Sequence, residues 1–149
     1  IGMKVIFYDK FNDQANLKID FFDGQSLSFN LNSSSFDKIL SNSDFITVHI
    51  PASDKYIIDS NEFKIMKEGV GILNLSRGGI INEQELIKNI DSGKICFAAI
   101  DTFEGEPKPS IKILMNSNIS LTPHIGAATN EAQDRIGIEL ADKINDILG

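Results

Sequence analysis

The chain is short of several residue types, and each shortage excludes something. Its 149 residues contain one cysteine, Cys96, so an internal disulfide is impossible. Because Cys96 sits inside an apolar run, it is expected to be a small buried hydrophobe in a reducing compartment. Positive charge is scarce: 14 Lys and Arg against 21 Asp and Glu give a net charge of −7. That balance argues against nucleic acid or an anionic membrane as partner, although a local positive pocket for a small anion stays possible. No apolar run approaches the ~18 residues of a membrane span, and no leader pattern is visible at the amino end. No metal site is expected. Histidine is rare, with two in the chain, so each position carries weight. The length fits one domain able to bury a core.

Three apolar runs each end in a polar cluster. Leu73–Leu75 leads into Ser76-Arg77, Phe97–Ile100 into Asp101 through Glu106, and Ile119–Leu121 into His124. Successive parallel strands of an open α/β sheet deliver reactive groups to one edge in this way, because ligands bind outside their carboxyl ends. Two earlier runs extend the pattern. Met3–Tyr8 reads as a strand ending at Asp9, and Phe45–Ile50 as a strand holding His49 and stopped by Pro51. In dinucleotide-binding folds a carboxylate in the place of Asp9 accepts hydrogen bonds from ribose hydroxyls and repels a 2′-phosphate. A lone aspartate there also serves as a turn former or helix cap, and His49 equally fits a purely structural hydrogen bond.

The connecting segments supply support. Residues Lys10–Ser43 are rich in Asn, Ser and Asp; they hold a turn at Asp23-Gly24 and an alternation over Leu27–Leu31 that suits a short strand. Ser35 is placed to cap a helix bearing Phe36, Ile39 and Leu40, and Ser60 one bearing Phe63, Ile65 and Met66. The strand over Gly71–Leu75 is followed by a helix that Asn82 and Glu85 open as a capping box and Ser92-Gly93 close. Gly69-Val70-Gly71 is not a phosphate loop, since it precedes a strand and lacks the third glycine. A strand over Ile95–Ile100, a short helix over Ile111–Met115 and a strand over Ile119–Leu121 come next. The last helix, from about Asn130 to Leu148, carries Ile136, Leu140, Ile144 and Ile147 or Leu148 as an inward stripe. Its amino end, after Gly126-Ala127-Ala128-Thr129, is placed to face an anion.

Arg77, Glu106 and His124 together suit one reaction. The guanidinium grips a carboxylate bidentately, and the imidazole gains and loses a proton near neutral pH, oriented by the acid beside it. Such a trio holds a 2-oxo acid, protonates its carbonyl oxygen and lets a nicotinamide hydride reach the carbonyl carbon. The same three residues also fit an ion-pair network between loops. Gly78-Gly79 after Arg77 favours function, because glycines let the backbone approach a ligand.

The runs N-L-S-R-G-G-I-I-N-E-Q-E-L, A-A-I-D-T-F-E-G-E-P and L-T-P-H-I-G-A-A-T-N-E-A-Q, with D-F-I-T-V-H-I-P upstream, resemble the ordered signatures of the D-isomer-specific 2-hydroxyacid dehydrogenases. The resemblance implies a Rossmann-like, doubly wound parallel α/β sheet that binds NAD in preference to NADP. It implies that Arg77 binds the substrate carboxylate, Glu106 partners the histidine and His124 donates the proton. Asp9 would hold the adenosine ribose, with His49 and Pro51 near the adenosine. Leu75 and Ser76 would line the nicotinamide and Asp101 contact its carboxamide, while the backbone of His124, Ile125, Gly126 and Ala127 approaches the cofactor. Thr102 stands where valine is usual and Ala127 where glycine is common.

The implied protein is a cytoplasmic homo-oligomer, a dimer or tetramer, acting on a small 2-hydroxy or 2-oxo acid. Phosphoglycerate dehydrogenases of serine synthesis are the nearest likeness. Glyoxylate/hydroxypyruvate reductases, D-lactate dehydrogenases and NADH-sensing corepressors are the alternatives. The family's glycine-rich loop, with its strand and helix, is expected upstream of Ile1, and the substrate-binding domain outside residues 1–149. Such a partial cofactor domain would leave the Met3–Tyr8 strand without its central neighbour, so another copy or a rearranged edge is expected to cover the gap, the alternative being a partly disordered amino-terminal third. Alone it is expected to bind NAD weakly and to turn nothing over.

Overall fold

A computed structural model describes residues 2–148. Its centre is a parallel sheet of four strands in sequence order: β3 (Phe45–Val48), β4 (Val70–Asn74), β5 (Ile95–Ile100) and β6 (Ile119–Leu121). The register pairs Val48 with Asn74, Asn74 with Ile100 and Ile100 with Leu121. The carboxyl ends of all four strands are therefore level, and whatever follows them meets at one rim.

Helices α1 (Phe36–Asn42), α2 (Ser60–Ile65), α3 (Glu83–Asp91) and α4 (Ile111–Leu114) connect the strands and cover the sheet. Leu40, Phe63, Leu86 and Ile113 from the helices meet Ile46, Ile72, Ala98 and Ile100 from the strands in one buried cluster. Each fully buried aliphatic or aromatic side chain of this kind contributes about 1.5–3 kcal/mol. Phe45 and Phe97 keep partly exposed rings 5.9 Å apart. Between them lies Gly71, where a Cβ would fall 2.6 Å from the Phe97 ring. Parallel strands joined by helical crossovers, with helices flanking the sheet, are the Rossmann-like architecture that the chain's pattern predicts.

Several local expectations are corrected. Met3–Tyr8 is not a strand. Instead β1 (Gln14–Asp20) and β2 (Ser26–Asn32) form a separate antiparallel hairpin across the Asp23-Gly24 turn. The segment before it is held from across the hairpin, by the Ser34 N–H on the Phe7 carbonyl at 2.8 Å, by the Asp9 N–H on the Ser33 hydroxyl at 3.4 Å and by Tyr8 against Phe36. With no neighbouring strand to pair with, an apolar run alone does not make a strand. Helix α2 is capped by Asp59, whose N–H donates to Glu62 Oε2 at 2.9 Å, and not by Ser60. Asn82 caps α3 by accepting from the Gln84 and Glu85 N–H groups. Its own N–H goes to the Ile58 carbonyl and Glu85 pairs with Lys88, so the reciprocal half of the expected capping box is replaced by a tertiary bond.

Cys96 is exposed, not buried. The register irregularity at Val70/Gly71 turns both Cys96 and Phe97 outward at the start of β5. The last helix, α5, spans Asn130–Leu148 as expected, but its stripe does not face inward. Ile136, Leu140, Ile144, Ile147 and Leu148 are exposed, and Ala132 is its buried residue. An amphipathic period states which face wants cover, not whether cover is present. Among the described residues no helix is long and apolar enough to cross a membrane.

Candidate active site

The rim beyond β4, β5 and β6 gathers most of the residues singled out in the sequence. Asn74, the last residue of β4, is buried and does two jobs. Its Nδ2 donates to the Arg77 carbonyl at 2.9 Å, while its Oδ1 accepts from the Ser76 N–H and hydroxyl at 3.2 and 3.0 Å. Its main-chain carbonyl accepts from the Asp101 N–H at 3.0 Å, tying this turn to the end of β5. Leu75 lies just past the strand and is exposed, and so is Arg77, whose Nη1 donates back to the Ser76 carbonyl at 2.7 Å. Gly78 explains the glycine after the arginine: a Cβ there would sit 1.9 Å from the Phe103 carbonyl oxygen. The arginine turn is therefore pressed backbone to backbone against the loop that follows β5.

That loop carries the acid. Glu106 Oε1 accepts from the Phe103 N–H at 2.8 Å, and Glu106 Oε2 meets His124 Nδ1 at 2.8 Å. The Phe103 amide, and then the histidine, hold the Glu106 carboxyl below the ordinary carboxylate range. An ionised carboxylate only accepts, so Nδ1 carries the hydrogen of this bond and Nε2 is the nitrogen left for exchange.

The histidine turn is clamped by Asp101. This buried carboxylate accepts from the Thr122 hydroxyl at 2.6 Å and the Ile125 N–H at 2.9 Å through Oδ1, and from the Gly126 N–H at 3.0 Å through Oδ2. Burial pushes its carboxyl up, but the three donors and the nearby His124 outweigh that and bring it below its usual value. His124 itself has φ = 54°, in the left-handed region that costs a non-glycine residue of order 1–3 kcal/mol. The Asp101 clamp on the two following amides is what holds it there. Sequence reasoning assigned Asp101 a ligand contact and missed this structural duty. The signal was present, since a carboxylate at the end of a buried strand needs donors to repay its desolvation.

Among the described residues, the other predicted residues share no hydrogen bond with this cluster. Asp9 is exposed at the end of a non-strand segment. Its Oδ1 accepts from the Phe11 and Asn12 N–H groups at 2.7 and 2.9 Å and from Asn12 Nδ2 at 3.1 Å, so it forms a turn, and the Phe11 amide leads in lowering its pKa. His49 is exposed one residue past β3, with Nε2 2.8 Å from the Thr47 hydroxyl, and Pro51 is exposed beyond it. Ala127 is exposed in the turn leading to α5.

A parallel sheet that carries an arginine, a carboxylate–imidazole pair and a clamped turn on its carboxyl rim has its polar groups where open α/β sheets bind ligands. Residues 1–126 match the family model described as D-isomer specific 2-hydroxyacid dehydrogenase, NAD binding domain, and the chain belongs to that family. It is 39% identical over 99% of its length to the hydroxypyruvate reductase of Thermotoga maritima, of which it spans 46%. It is 43% identical over 73% of its length to the D-3-phosphoglycerate dehydrogenase of Archaeoglobus fulgidus, spanning 21% of that protein. The NAD-complexed D-isomer specific 2-hydroxyacid dehydrogenase of Lactobacillus delbrueckii ssp. bulgaricus superposes with a TM-score of 0.66 at 26% identity, covering 80% of this chain and 42% of the other. The chain thus spans less than half the length of each.

The rim fits the nicotinamide end of NAD. Leu75 and Ile125 offer exposed apolar surface on the same edge as Arg77 and His124, an apolar flank beside charged groups of the kind a ring-and-carboxamide ligand needs. Among the described residues no strand–glycine-loop–helix unit forms a pyrophosphate cradle.

Proposed function

We propose that the protein containing this chain is an NAD-dependent dehydrogenase that interconverts a D-2-hydroxy acid and its 2-oxo acid, and that residues 1–149 are part of its cofactor domain. The observation that carries this is the 2.8 Å contact between His124 Nδ1 and Glu106 Oε2 at the rim, with the Arg77 turn packed against the same loop. In the reducing direction Arg77 holds the substrate carboxylate as a two-pronged donor. His124 gives the Nε2 proton to the carbonyl oxygen, and Glu106 steadies the imidazolium beforehand. The reduced cofactor, NADH, would supply the hydride that the carbonyl carbon accepts, leaving as NAD. Asp101 acts through the histidine turn. Asp9, by its charge, disfavours a 2′-phosphate if a sheet neighbour brings it to the adenosine.

Within this class, 3-phosphoglycerate oxidation in serine synthesis is the favoured reaction, supported by the likeness to phosphoglycerate dehydrogenases. Hydroxypyruvate reduction is the second reading, favoured by a relative aligned over 99% of this chain. The working protein is read as a cytoplasmic homo-oligomer.

The test is a steady-state assay of the full encoded protein with NADH against phosphohydroxypyruvate, hydroxypyruvate and glyoxylate, alongside His124→Asn and Arg77→Met. Loss of the acid should lower kcat by roughly 100-fold or more, while loss of the guanidinium should raise KM. No turnover of any 2-oxo acid by the unsubstituted protein would overturn the assignment.

A further inference from the structure

Behind the Glu106–His124 pair stand two carboxylates that this chemistry leaves unused. Glu83, the first residue of α3, is 7% exposed, yet among the described residues neither it nor Glu104 has a cation at ion-pair distance. Glu83 Oε1 accepts from the Glu104 N–H at 2.7 Å, and Glu104 Oε1 accepts from the Glu83 N–H at 3.0 Å. The Tyr56 hydroxyl closes the set by donating to Glu104 Oε2 at 3.2 Å. A buried carboxylate without a counter-charge is costly, and α3 does not need this one as a cap, because Asn82 already fills that role.

What Glu83 grips explains its place. The Phe103 N–H donates to Glu106, and the next N–H along the chain, that of Glu104, donates to Glu83. Two successive amides are thus pinned by two carboxylates. One reaches forward to His124. The other is rooted in a helix whose Leu86 and Ile90 are buried in the core. The two amides belong to adjacent peptide planes joined at the Phe103 Cα, so with the Glu104 plane held only φ and ψ of Phe103 remain to swing the Phe103 N–H away from Glu106.

We propose that Glu83 is a positioning residue: by holding the Glu104 amide it sets the Phe103–Glu106 turn so that Glu106 meets Nδ1 of His124. Its functional meaning rests on the dehydrogenase reading; its geometry does not. The groups facing it are Glu104 and Glu106 from the loop and Tyr56 from the segment before α2. Glu106 in turn faces His124 and Asp101. Burial, and then the charges of Glu104 and Glu106, push the Glu83 carboxyl up against the pull of the Glu104 amide.

The experiment is a carbon-detected NMR titration of the Glu106 carboxyl, identified by its loss in Glu106→Gln, in the full encoded protein and in two variants of it. Glu83→Ala removes the acceptor, so the Phe103 N–H loses its aim and the Glu106 midpoint should move up towards the ordinary value. Glu83→Gln keeps an acceptor oxygen in place and should leave that midpoint where it is. In the full encoded protein, Glu83→Ala should move the acidic limb of the kcat profile to higher pH without changing KM for the oxo acid. If Glu83→Ala does not fold, Glu83→Asp, one methylene short of the amide, should give the same upward shift. An unmoved Glu106 midpoint in the folded alanine or aspartate variant, or an equal shift in Glu83→Gln, overturns the proposal. The titration needs no substrate, so failure of the dehydrogenase reading would show separately, as absent turnover in the unsubstituted protein.

Discussion

The rim beyond β4–β6 and the β1–β2 hairpin are both built from polar turns between apolar runs, but they are held in different ways. At the rim, Asn74, Asp101, Glu104 and Glu106 each bond a main-chain or side-chain group on another segment, and Gly78 lets two backbones touch. The hairpin has its ladder and little else: Leu17, Ile19, Leu27 and Phe29 all stay exposed, and Phe22 at the turn is 104% exposed. A ladder satisfies backbone groups, but only a facing layer removes apolar side chains from water. Stability should therefore concentrate in residues 44–125, and paired substitutions measure that contrast.

The widest separation is expected between two glycines. Gly78→Ala drives a methyl group into the Phe103 carbonyl and should cost more than about 4 kcal/mol, which is exceptional for one substitution. Gly24→Ala in the hairpin turn meets no atom within 4 Å and should cost about 1 kcal/mol, from its positive φ alone. Urea unfolding of the two variants reads the difference, and similar midpoints would erase the contrast.

Side-chain truncation should repeat it on a smaller scale. Leu86→Ala opens a cavity beneath the sheet and should cost about 3 kcal/mol, whereas Phe22→Ala should stay within about 0.5 kcal/mol.

Acid should act on the rim first. The ordinary values are 3.8 for Asp101 and 4.5 for Glu106, and both carboxyls titrate lower than that when folded. The unfolded chain therefore binds protons before the folded one does. Their stabilisation is present above about pH 4.5 and is lost as pH falls through the folded values. Glu83 runs the other way: its folded carboxyl titrates above the usual 4.5, so protonating it on the way down relieves a burden. The net acid loss should shrink in Asp101→Asn, as followed by urea midpoints between about pH 5 and 3, while the protection of hairpin amides relative to their intrinsic exchange rates stays unchanged over that range. A steeper acid loss in Asp101→Asn would show that the clamp is not its source.

The last effect is a gain. Thr102 is 2% exposed and, among the described residues, its Oγ1 has no hydrogen-bond partner, so Thr102→Val should stabilise the rim by about 1 kcal/mol. A loss instead would mean that the hydroxyl is bonded after all.

Much of the central region could be read in advance. Ile95–Ile100 and Ile119–Leu121 are strands because short β-rich runs bounded by polar turns are buried by the helices that the intervening periodicity predicts. The Glu106–His124 contact was legible because level strand ends in a parallel sheet bring the residues just beyond them together. Other expectations failed where the answer depended on a neighbour. Met3–Tyr8 has strand composition but no strand beside it. The stripe of α5 has helical period but no surface against it, and Cys96 is apolar in context but turned out by a register shift in β5.

The sequence by itself determined what is local or repeated: the periods of strand and helix, the turn at Asp23-Gly24, the caps at Ser35 and Asn82, and the order in which arginine, acid and histidine leave successive strands. The tertiary structure alone decided which apolar faces are covered, which carboxylate grips which amide, and that His124 takes a left-handed backbone under the hold of Asp101. The first group follows from bonding within a few residues. The second follows from desolvation and hydrogen-bond satisfaction between segments far apart in the chain, and those terms do not exist until the segments meet.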